Sequence, residues 1–308
     1  MLSSLDLVSL LLAGLLGMVV AGNNLSACAG TIIGSGMVRR RTGVLLAVAG
    51  YLSGLAIEGP KLFRVTEIFL PAKTSVGAFS ILFASLLVFI GGNYFNLPLS
   101  LSKALTGSIL GVSVALGVLG DIDYLALILS FWFLVPLVST ALGVLLIELD
   151  NRLSPANLWL KLSLFKTGLL ILAFLSAYVL GVNTLGLIAG VPSNQTLDSP
   201  TIAVGLGCVI GAFLLGRGAQ ERLTEGIFSL RYPNAFYAQL VGAATIELAN
   251  QLAVPLSITE TVSSGIIGSG LATRMRVLNV RNIFLIISSW VLSPIVGFIL
   301  AFVLTKIL

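Results

Sequence analysis

Charged side chains are scarce in this sequence, and apolar ones are abundant. Only 9% of the residues are charged, 57% are hydrophobic and the mean hydropathy is +1.09. A soluble domain carries about 25% charged residues, so this chain has too little polar surface to face water. Its apolar stretches reach the roughly 20 residues that span a bilayer, and they lack the alternation typical of membrane strands. The composition therefore predicts an all-α polytopic protein that crosses the cell membrane several times.

Histidine is absent, and the cysteines, Cys28 and Cys208, stand alone in apolar surroundings. Because no Cys pair has ligand spacing, we expect neither a zinc site nor a disulfide framework, and no cofactor. A P-loop and a G-x-S-x-G motif are also missing, which leaves an ATP site or an intramembrane enzyme without support. The net charge of +5 comes from short basic clusters between apolar stretches, which favours a lipid bilayer over nucleic acid as the partner.

The two halves of the sequence match each other at an offset of about 158 residues. Around Trp132 the chain reads I-L-S-F-W-F-L-V-P-L-V, and around Trp290 it reads I-I-S-S-W-V-L-S-P-I-V. Likewise, L-P-L-S-L-S-K from Leu97 matches V-P-L-S-I-T-E from Val254. Other matched positions are Asn93 with Asn250, Asn23 with Asn183, and Gly30 with Gly190. Matches that keep one order indicate an internal duplication, with halves at 1–155 and 156–308.

Equivalent loops of the two halves carry opposite charge. The loop at 39–41 is Arg-Arg-Arg, whereas its counterpart at 191–200 has no Lys or Arg. The loop before the Trp segment reverses the contrast, since it is acidic at 121–123 and basic at 274–281. Basic loops stay on the cytoplasmic side, so the pattern predicts two repeats of inverted topology. With 39–41 in the cytoplasm, the basic residues outside are Lys61, Arg64, Lys73 and Lys306.

The first apolar stretch of each half is too long for one ordinary crossing. Residues 5–37 would form a helix of about 50 Å, against a hydrocarbon core of about 30 Å, and residues 164–191 are the equivalent stretch. Polar residues near a glycine interrupt both stretches: Asn23 and Asn24 in the first half, Asn183 and Thr184 in the second. We interpret both as discontinuous helices lining a substrate cavity. The alternative is that these side chains bond neighbouring helices.

Two further apolar segments in each half form either paired crossings or a re-entrant hairpin, and the sequence leaves both open. The second of them, near 97–119 and 255–273, opens at Pro98 and at Pro255, and proline is favoured in a first helical turn. Hydroxyl and charged residues follow: Ser100, Ser102 and Lys103 in the first half, Ser257, Thr259 and Glu260 in the second. A helix N-terminus attracts anions, so we predict an oxyanion site there. The alternative is simple helix capping.

Three charged residues fall inside apolar segments: Lys103, Glu247 and Glu260. Ionisable side chains in the membrane are costly and usually functional. A Lys103–Glu260 ion pair between the halves ranks level with direct ligand or proton-carrying roles. Trp132 and Trp290 are interpreted as packing or interfacial aromatics.

At these positions the sequence resembles the inorganic phosphate transporter family, which includes sulfate permeases. The family motif G-x-N-D-x-A-N-A-x-G-T-x-x-G-S-G corresponds to A-G-N-N-L-S-A-C-A-G-T-I-I-G-S-G from Ala21, and G-S-N-D-x-A-N-A-x-G corresponds to G-V-N-T-L-G-L-I-A-G from Gly181. The family's P-V-S-T-T-H matches P-L-S-L-S-K and P-L-S-I-T-E. Its S-W-x-x-x-P helix matches S-W-V-L-S-P at Trp290 and F-W-F-L-V-P at Trp132, where phenylalanine replaces the serine. Asn24 and Thr184 replace the motif aspartates, and Ala27 and Leu187 replace motif asparagines.

The resemblance implies a secondary active transporter of inorganic phosphate that works by alternating access, with its site between the inverted repeats. A sulfate permease is the close alternative, and an ion channel or an intramembrane enzyme is the alternative of another class. The motif aspartates are associated with sodium and phosphate binding, so their loss favours a proton over sodium as the driving ion. The predicted coupling residues are Glu260, which would carry the proton, and Glu247. A homodimer is also considered. The predicted substrate-binding residues are Asn23, Asn24, Ser100, Ser102, Lys103, Asn183, Thr184, Ser257 and Thr259.

Overall fold

The computed structural model describes residues 4–71, 74–94, 99–118, 120–153, 157–192, 198–215, 232–273 and 280–308. Over these residues the regular structure is helical. The first half contains α1 Ser4–Gly34, α2 Arg40–Ile57, α3 Phe63–Phe69, α4 Ser75–Tyr94, α5 Leu101–Ala115 and α6 Ile122–Leu153. The second half contains α7 Leu158–Leu180, α8 Gly186–Gly190, α9 Asp198–Leu214, α10 Tyr232–Gln251, α11 Ile258–Ala272 and α12 Val280–Ile307.

Several of these helices fit a bilayer. Five described spans are long and apolar enough to cross it: Ser4–Gly34, Ser75–Gly92, Ile122–Leu153, Trp159–Gly190 and Ile287–Ile307. A sixth arises if α2 is joined to the segment Gly59–Phe69, from which it is bent by 60°. The predicted all-α polytopic membrane fold is confirmed.

The predicted helix breaks are partly wrong. The first half has no break at Asn23 and Asn24, because α1 runs unbroken from Ser4 to Gly34. The Asn24 amide donates to the Val20 carbonyl of the same helix, 3.0 Å away, so the polar side chain is satisfied without unwinding the backbone. In the second half the irregularity is present, as a π-helical turn over Gly181–Leu185 between α7 and α8.

A discontinuous helix occurs at a place that the sequence analysis did not identify. α2 ends at Ile57, and a 3-10 turn, Gly59–Leu62, leads into α3 at an angle of 60°. Pro60 lies in this turn, where its ring is compatible with a first helical position but not with continuation of α2. The adjoining Gly-Pro pair is a recognised breaker signal.

The helices α4 with α5 and α10 with α11 pack as two helical pairs. α5 and α11 have 15 residues each, so each rises about 22 Å and falls short of a hydrocarbon core of about 30 Å. The backbone N–H of Ser100, which caps α5, donates to Ser293 Oγ at 2.9 Å. Ser293 lies midway along α12, so α5 begins near the middle of the membrane. This favours re-entrant hairpins over paired crossings.

The main helix contacts join one half to the other in matched pairs. α1 packs on α9 as α2 packs on α7, and α5 packs on α12 as α6 packs on α11. Glycines permit this close approach, since a Cβ at Gly107 would collide with the Pro294 carbonyl, and one at Gly268 with the Thr140 carbonyl. Small residues at helix crossings are typical of membrane bundles. The paired exchange of contacts agrees with inverted repeats.

Some sequence predictions fall on positions outside the described residues. They are the boundary at 155 and 156, Lys73, Pro98, Arg274 and Arg276, while Arg281 lies in a described helix but its side chain is not described. The division into halves at 1–155 and 156–308 stays a prediction.

Candidate functional site

Lys103 and Glu260 form an ion pair where the two re-entrant hairpins meet. Lys103 lies in the first turn of α5 and Glu260 in the first turn of α11, at matched positions of the two halves. The Lys103 Nζ atom is 2.9 Å from Glu260 Oε1 and 2.7 Å from Oε2. The two side chains are only 4% and 3% exposed. A buried pair of this kind holds two charges in place but leaves the site neutral.

The two repeated tryptophans lie close to the Lys103 ammonium of this pair. Lys103 Nζ lies 5.2 Å from the centre of the Trp132 ring and 5.8 Å from that of the Trp290 ring. Both distances are within the range of cation–π attraction. The Trp132 Nε1 group donates to the Pro255 carbonyl at 2.8 Å, which orients that ring. The interpretation of both tryptophans as mere packing or interfacial residues is therefore incomplete.

Ser100 and Ser257 cap the two hairpin helices. The Ser100 hydroxyl accepts from the backbone N–H of Lys103, and the Ser257 hydroxyl accepts from that of Glu260, both at 3.4 Å. The capping alternative is thus realised for both serines. Other first-turn N–H groups, such as those of Leu101 and Ser102, have no partner inside their own helix. The helix dipoles still favour an anion at these ends.

Two further hydroxyls lie in the same region. Ser102 Oγ is 2.8 Å from Thr184 Oγ1 and connects the start of α5 to the π-helical turn of the other half. Ser257 Oγ is 2.9 Å from Thr259 Oγ1. Hydroxyls both donate and accept, so these pairs can turn toward an anion.

Asn183 forms hydrogen bonds with the end of α10 and with the loop before α11. Its side chain is 1% exposed, and its Nδ2 group donates to Asn250 Oδ1 at 2.7 Å and to the Val254 carbonyl at 3.2 Å. Its Oδ1 atom accepts from the Leu256 backbone N–H at 3.0 Å. In this conformation Asn183 fixes the hairpin loop, and its donors are not directed at a ligand.

The asparagines of the first half lie apart from these contacts. Asn23 is exposed, and Asn24 bonds within α1. No described side-chain bond joins either residue to Asn183 or to the hairpin residues. Their convergence on the predicted site stays a prediction.

Glu247 belongs to a polar network at the end of α10. Gln251 Nε2 donates to Glu247 Oε1 and also to Glu58 Oε2, the latter at 3.1 Å. Lys61 Nζ contacts Glu58 Oε2 at 2.8 Å and Gln251 Oε1 at 2.7 Å. Asn250 Nδ2 donates to Glu247 Oε2 at 3.3 Å, and Asn250 also bonds Asn183. Glu247 is therefore connected to the candidate site through two amides.

Sequence reasoning missed Gln239, a buried amide of α10. Its Nε2 group donates to the Cys28 carbonyl at 2.6 Å and to the Ala27 carbonyl at 3.2 Å. Its Oε1 atom accepts from Thr31 Oγ1 at 3.3 Å. Gln239 thus bonds the second half to the motif region of α1. Its one sequence signal is a carboxamide inside an apolar helix.

The described residues contain no group of three or more His, Cys, Asp or Glu side chains placed to hold a metal ion. The candidate site offers one carboxylate, one ammonium, hydroxyls and amides. Such a set suits an anion bound by donors, with a proton able to reside on the carboxylate.

Several known proteins are similar to this chain in sequence. A phosphate permease of Methanocaldococcus jannaschii is 28% identical over 76% of this chain and 76% of its own length. The sulfate permease of Bacillus subtilis is 24% identical over 98% of this chain and 88% of its own. A low-affinity inorganic phosphate transporter of Bacillus subtilis is 27% identical over 86% of both chains.

A solved structure of a sodium-dependent phosphate transporter superposes with a TM-score of 0.85, covers 99% of both chains and has 15% identity. This likeness confirms the fold. The sequence profile of the phosphate transporter family matches residues 20–165 and again residues 151–301. The two matches confirm the internal repeat and the interpretation as a transporter rather than an enzyme. This multi-pass membrane protein belongs to the phosphate transporter family.

Proposed function

We propose that the chain is a secondary active transporter that moves inorganic phosphate across the membrane by alternating access, with the anion bound between the halves. The family, and relatives named for phosphate, support this substrate. The Lys103–Glu260 pair carries the proposal, because it joins the N-termini of two hairpin helices from opposite halves. The proposed substrate contacts are Asn23, Asn24, Ser100, Ser102, Lys103, Asn183, Thr184, Ser257 and Thr259.

The charge of the pair suggests how anion binding is linked to a proton. With Glu260 ionised, the pair is neutral and offers an anion little attraction. When Glu260 takes up a proton, the Lys103 charge is no longer balanced. The partial positive charges of two helix N-termini add to it. Anion and proton then occupy the site together, which is the basis of symport.

The driving ion is proposed to be a proton, and this rests on the site residues alone. The solved structural neighbour depends on sodium, so the comparisons give no support to the preference for a proton. Glu260 is the proposed proton carrier, and Glu247 is a second coupling carboxylate because its network reaches Asn183 through Asn250. Asn24 and Thr184 supply no carboxylate at the positions where the family motif has one.

Sulfate is the second candidate substrate. The sulfate permease of Bacillus subtilis aligns over 98% of this chain. Sulfate carries no proton at neutral pH and needs only donors, whereas phosphate keeps a proton that can donate a hydrogen bond to the carbonyl oxygen of the protonated Glu260 carboxyl. Phosphate remains the first candidate because more of the relatives are named for phosphate than for sulfate.

Uptake by purified protein in liposomes tests the proposal. Labelled phosphate and labelled sulfate are supplied in parallel, with a proton gradient and a sodium gradient imposed separately. We expect phosphate to accumulate under an inward proton gradient without sodium. Strict sodium dependence would overturn the proposed coupling, and accumulation of sulfate alone would overturn the proposed substrate.

The Glu260→Gln variant separates coupling from binding. Its neutral side chain cannot carry a proton, so we expect gradient-driven accumulation to be lost while exchange of internal for external phosphate persists. Glu67→Gln, which alters an exposed carboxylate of α3, is the control and should accumulate phosphate as the unaltered protein does. Full gradient-driven uptake by Glu260→Gln would contradict the role of this carboxylate.

A further inference from the structure

The Lys103 ammonium lies in a cage whose walls come from three other helices. Lys103 itself comes from α5, whereas the walls come from Trp132 on α6, Glu260 on α11 and Trp290 on α12. The walls are one carboxylate and two indole faces. This is the set of groups that proteins use to bind ammonium ligands. The cage would therefore keep its walls if the lysine side chain were removed.

The contacts of the Lys103 ammonium also indicate a cation site. The Nζ–Oε1 hydrogen bond of 2.9 Å and the 2.7 Å contact with Oε2 direct the Lys103 charge at the carboxylate. The centres of the tryptophan rings lie within 6 Å of the same atom, the range of cation–π attraction. In this conformation Lys103 therefore acts as the occupant of a cation site more than as a donor aimed into open space. The indoles would also hold the ammonium when Glu260 is neutral.

We propose that Trp132, Trp290 and Glu260 form a binding site for a monovalent ammonium-type cation, and that Lys103 is a tethered cation that fills it permanently. The chain would then supply the positive charge of this site from its own covalent structure. That this charge serves anion transport rests on the proposed function, but the cage itself does not.

Chemical rescue tests the cage. Lys103→Ala keeps the Cβ atom and removes three carbons and the ammonium, and propylammonium has the composition of that missing piece. The chain has one tryptophan besides the two of the cage, Trp159, which is 82% exposed. A Trp159→Phe background therefore leaves only the two cage tryptophans to report by fluorescence. In this background we expect Lys103→Ala to bind propylammonium saturably, while the protein that retains Lys103 shows no saturable change.

Two controls separate a cation site from a simple cavity. 1-Propanol has the same size without the charge and should bind at least about tenfold more weakly. Adding Glu260→Gln to Lys103→Ala should weaken propylammonium binding by a similar factor. Equal binding of propanol and propylammonium, or no saturable change in a Lys103→Ala protein that elutes as a single folded species, would overturn the cage.

A second variant covers the case in which Lys103→Ala does not fold. Lys103→Met fills the space without charge. If the cage attracts the ammonium, Trp132→Leu will lower the melting temperature more in the Lys103 protein than in the Lys103→Met protein. Equal losses in the two backgrounds would overturn the proposal.

Transport provides a separate readout. Propylammonium should restore phosphate uptake to the Lys103→Ala protein in liposomes. If the unaltered protein transports neither phosphate nor sulfate, the proposed function fails, while the fluorescence titration still decides the cage.

Discussion

At the scale of single residues, the Ser102 hydroxyl joins the two halves by a hydrogen bond, because its partner Thr184 lies in the π-helical turn of the second half. It lies beside Lys103, at the start of α5, where unpaired N–H groups and the helix dipole favour an anion. A hydroxyl in that place can donate to a phosphate oxygen. Hydrogen bonds to charged groups contribute about 1.5–3 kcal/mol.

Ser102→Ala should therefore raise the KM for phosphate uptake by about tenfold or more, with little change in the amount of folded protein. Ser113→Ala is the matched control, since Ser113 lies near the other end of the same helix and bonds the Val118 carbonyl at 2.7 Å. Its KM should stay unchanged. Equal KM values for the two variants would remove Ser102 from the proposed substrate contacts.

Single charged residues were predictable because an ionisable group in an apolar segment is rare and conspicuous. The Lys103–Glu260 pair was accordingly among the sequence predictions, as one of two readings of equal rank. The position of Trp132 and Trp290 around that pair was not predicted, because an aromatic residue in a membrane helix is usually a packing or interfacial residue. The cage forms only where α6, α11 and α12 meet around the lysine of α5, and the sequence does not show that these four helices meet.

At the scale of helices, the matched segments of the two halves differ. α1 is α-helical through Asn23, whereas the equivalent segment forms a π-helical turn at Asn183. Asn23 is exposed, whereas Asn183 is buried and bonds the loop before α11. π-helical turns occur often at functional sites. If the chain works by the proposed alternating access, its inverted repeats are unequal in any one conformation.

Asn183→Ala should lower thermal stability more than Asn23→Ala, its matched variant in the other half. The first change leaves the Leu256 N–H and the amide oxygen of Asn250 without their partner, at about 1–3 kcal/mol for each buried group. The second change removes an exposed side chain. Thermal unfolding in detergent measures both. A loss for Asn23→Ala as large as that for Asn183→Ala would show that the two amides are equivalent in this conformation.

The helix breaks show where sequence reasoning fails at this scale. Glycine and asparagine at 22–24 suggested a break, but Asn24 bonds its own helix and α1 continues. The Gly59-Pro60 pair carried a stronger breaker signal, and the 60° bend lies there. A polar residue inside an apolar run needs hydrogen-bond partners. The sequence does not show whether those partners are backbone groups of the same helix or side chains of a neighbouring helix.

For the whole molecule, the duplication was predictable because the halves keep the same motifs in the same order. The pairing of helices from one half with helices of the other was not predictable, since the apolar surfaces of the helices are chemically alike. Packing of α5 on α12 and of α6 on α11 depends on which glycines meet which carbonyls. Such pairing ties each hairpin to the opposite half. A movement of one half therefore changes the environment of the hairpin of the other.

The orientation of the halves leads to a prediction for the whole chain. Inverted halves with basic loops in the cytoplasm place the loops at 39–41 and 274–281 on the same side of the membrane. α12 has 28 residues and rises about 42 Å, so Lys306 near its end must lie on the side opposite to the residues that precede Val280. Single cysteines at Arg41, Arg276 and Lys306 report these three positions.

In a background without Cys28 and Cys208, we expect Arg41→Cys and Arg276→Cys to react with a membrane-impermeant thiol reagent only after the inner face is opened to it. Lys306→Cys should react in intact cells. The positive-inside rule supplies the reason, because a basic loop resists translocation. Reaction of Arg41→Cys and Arg276→Cys from opposite faces would contradict inverted topology.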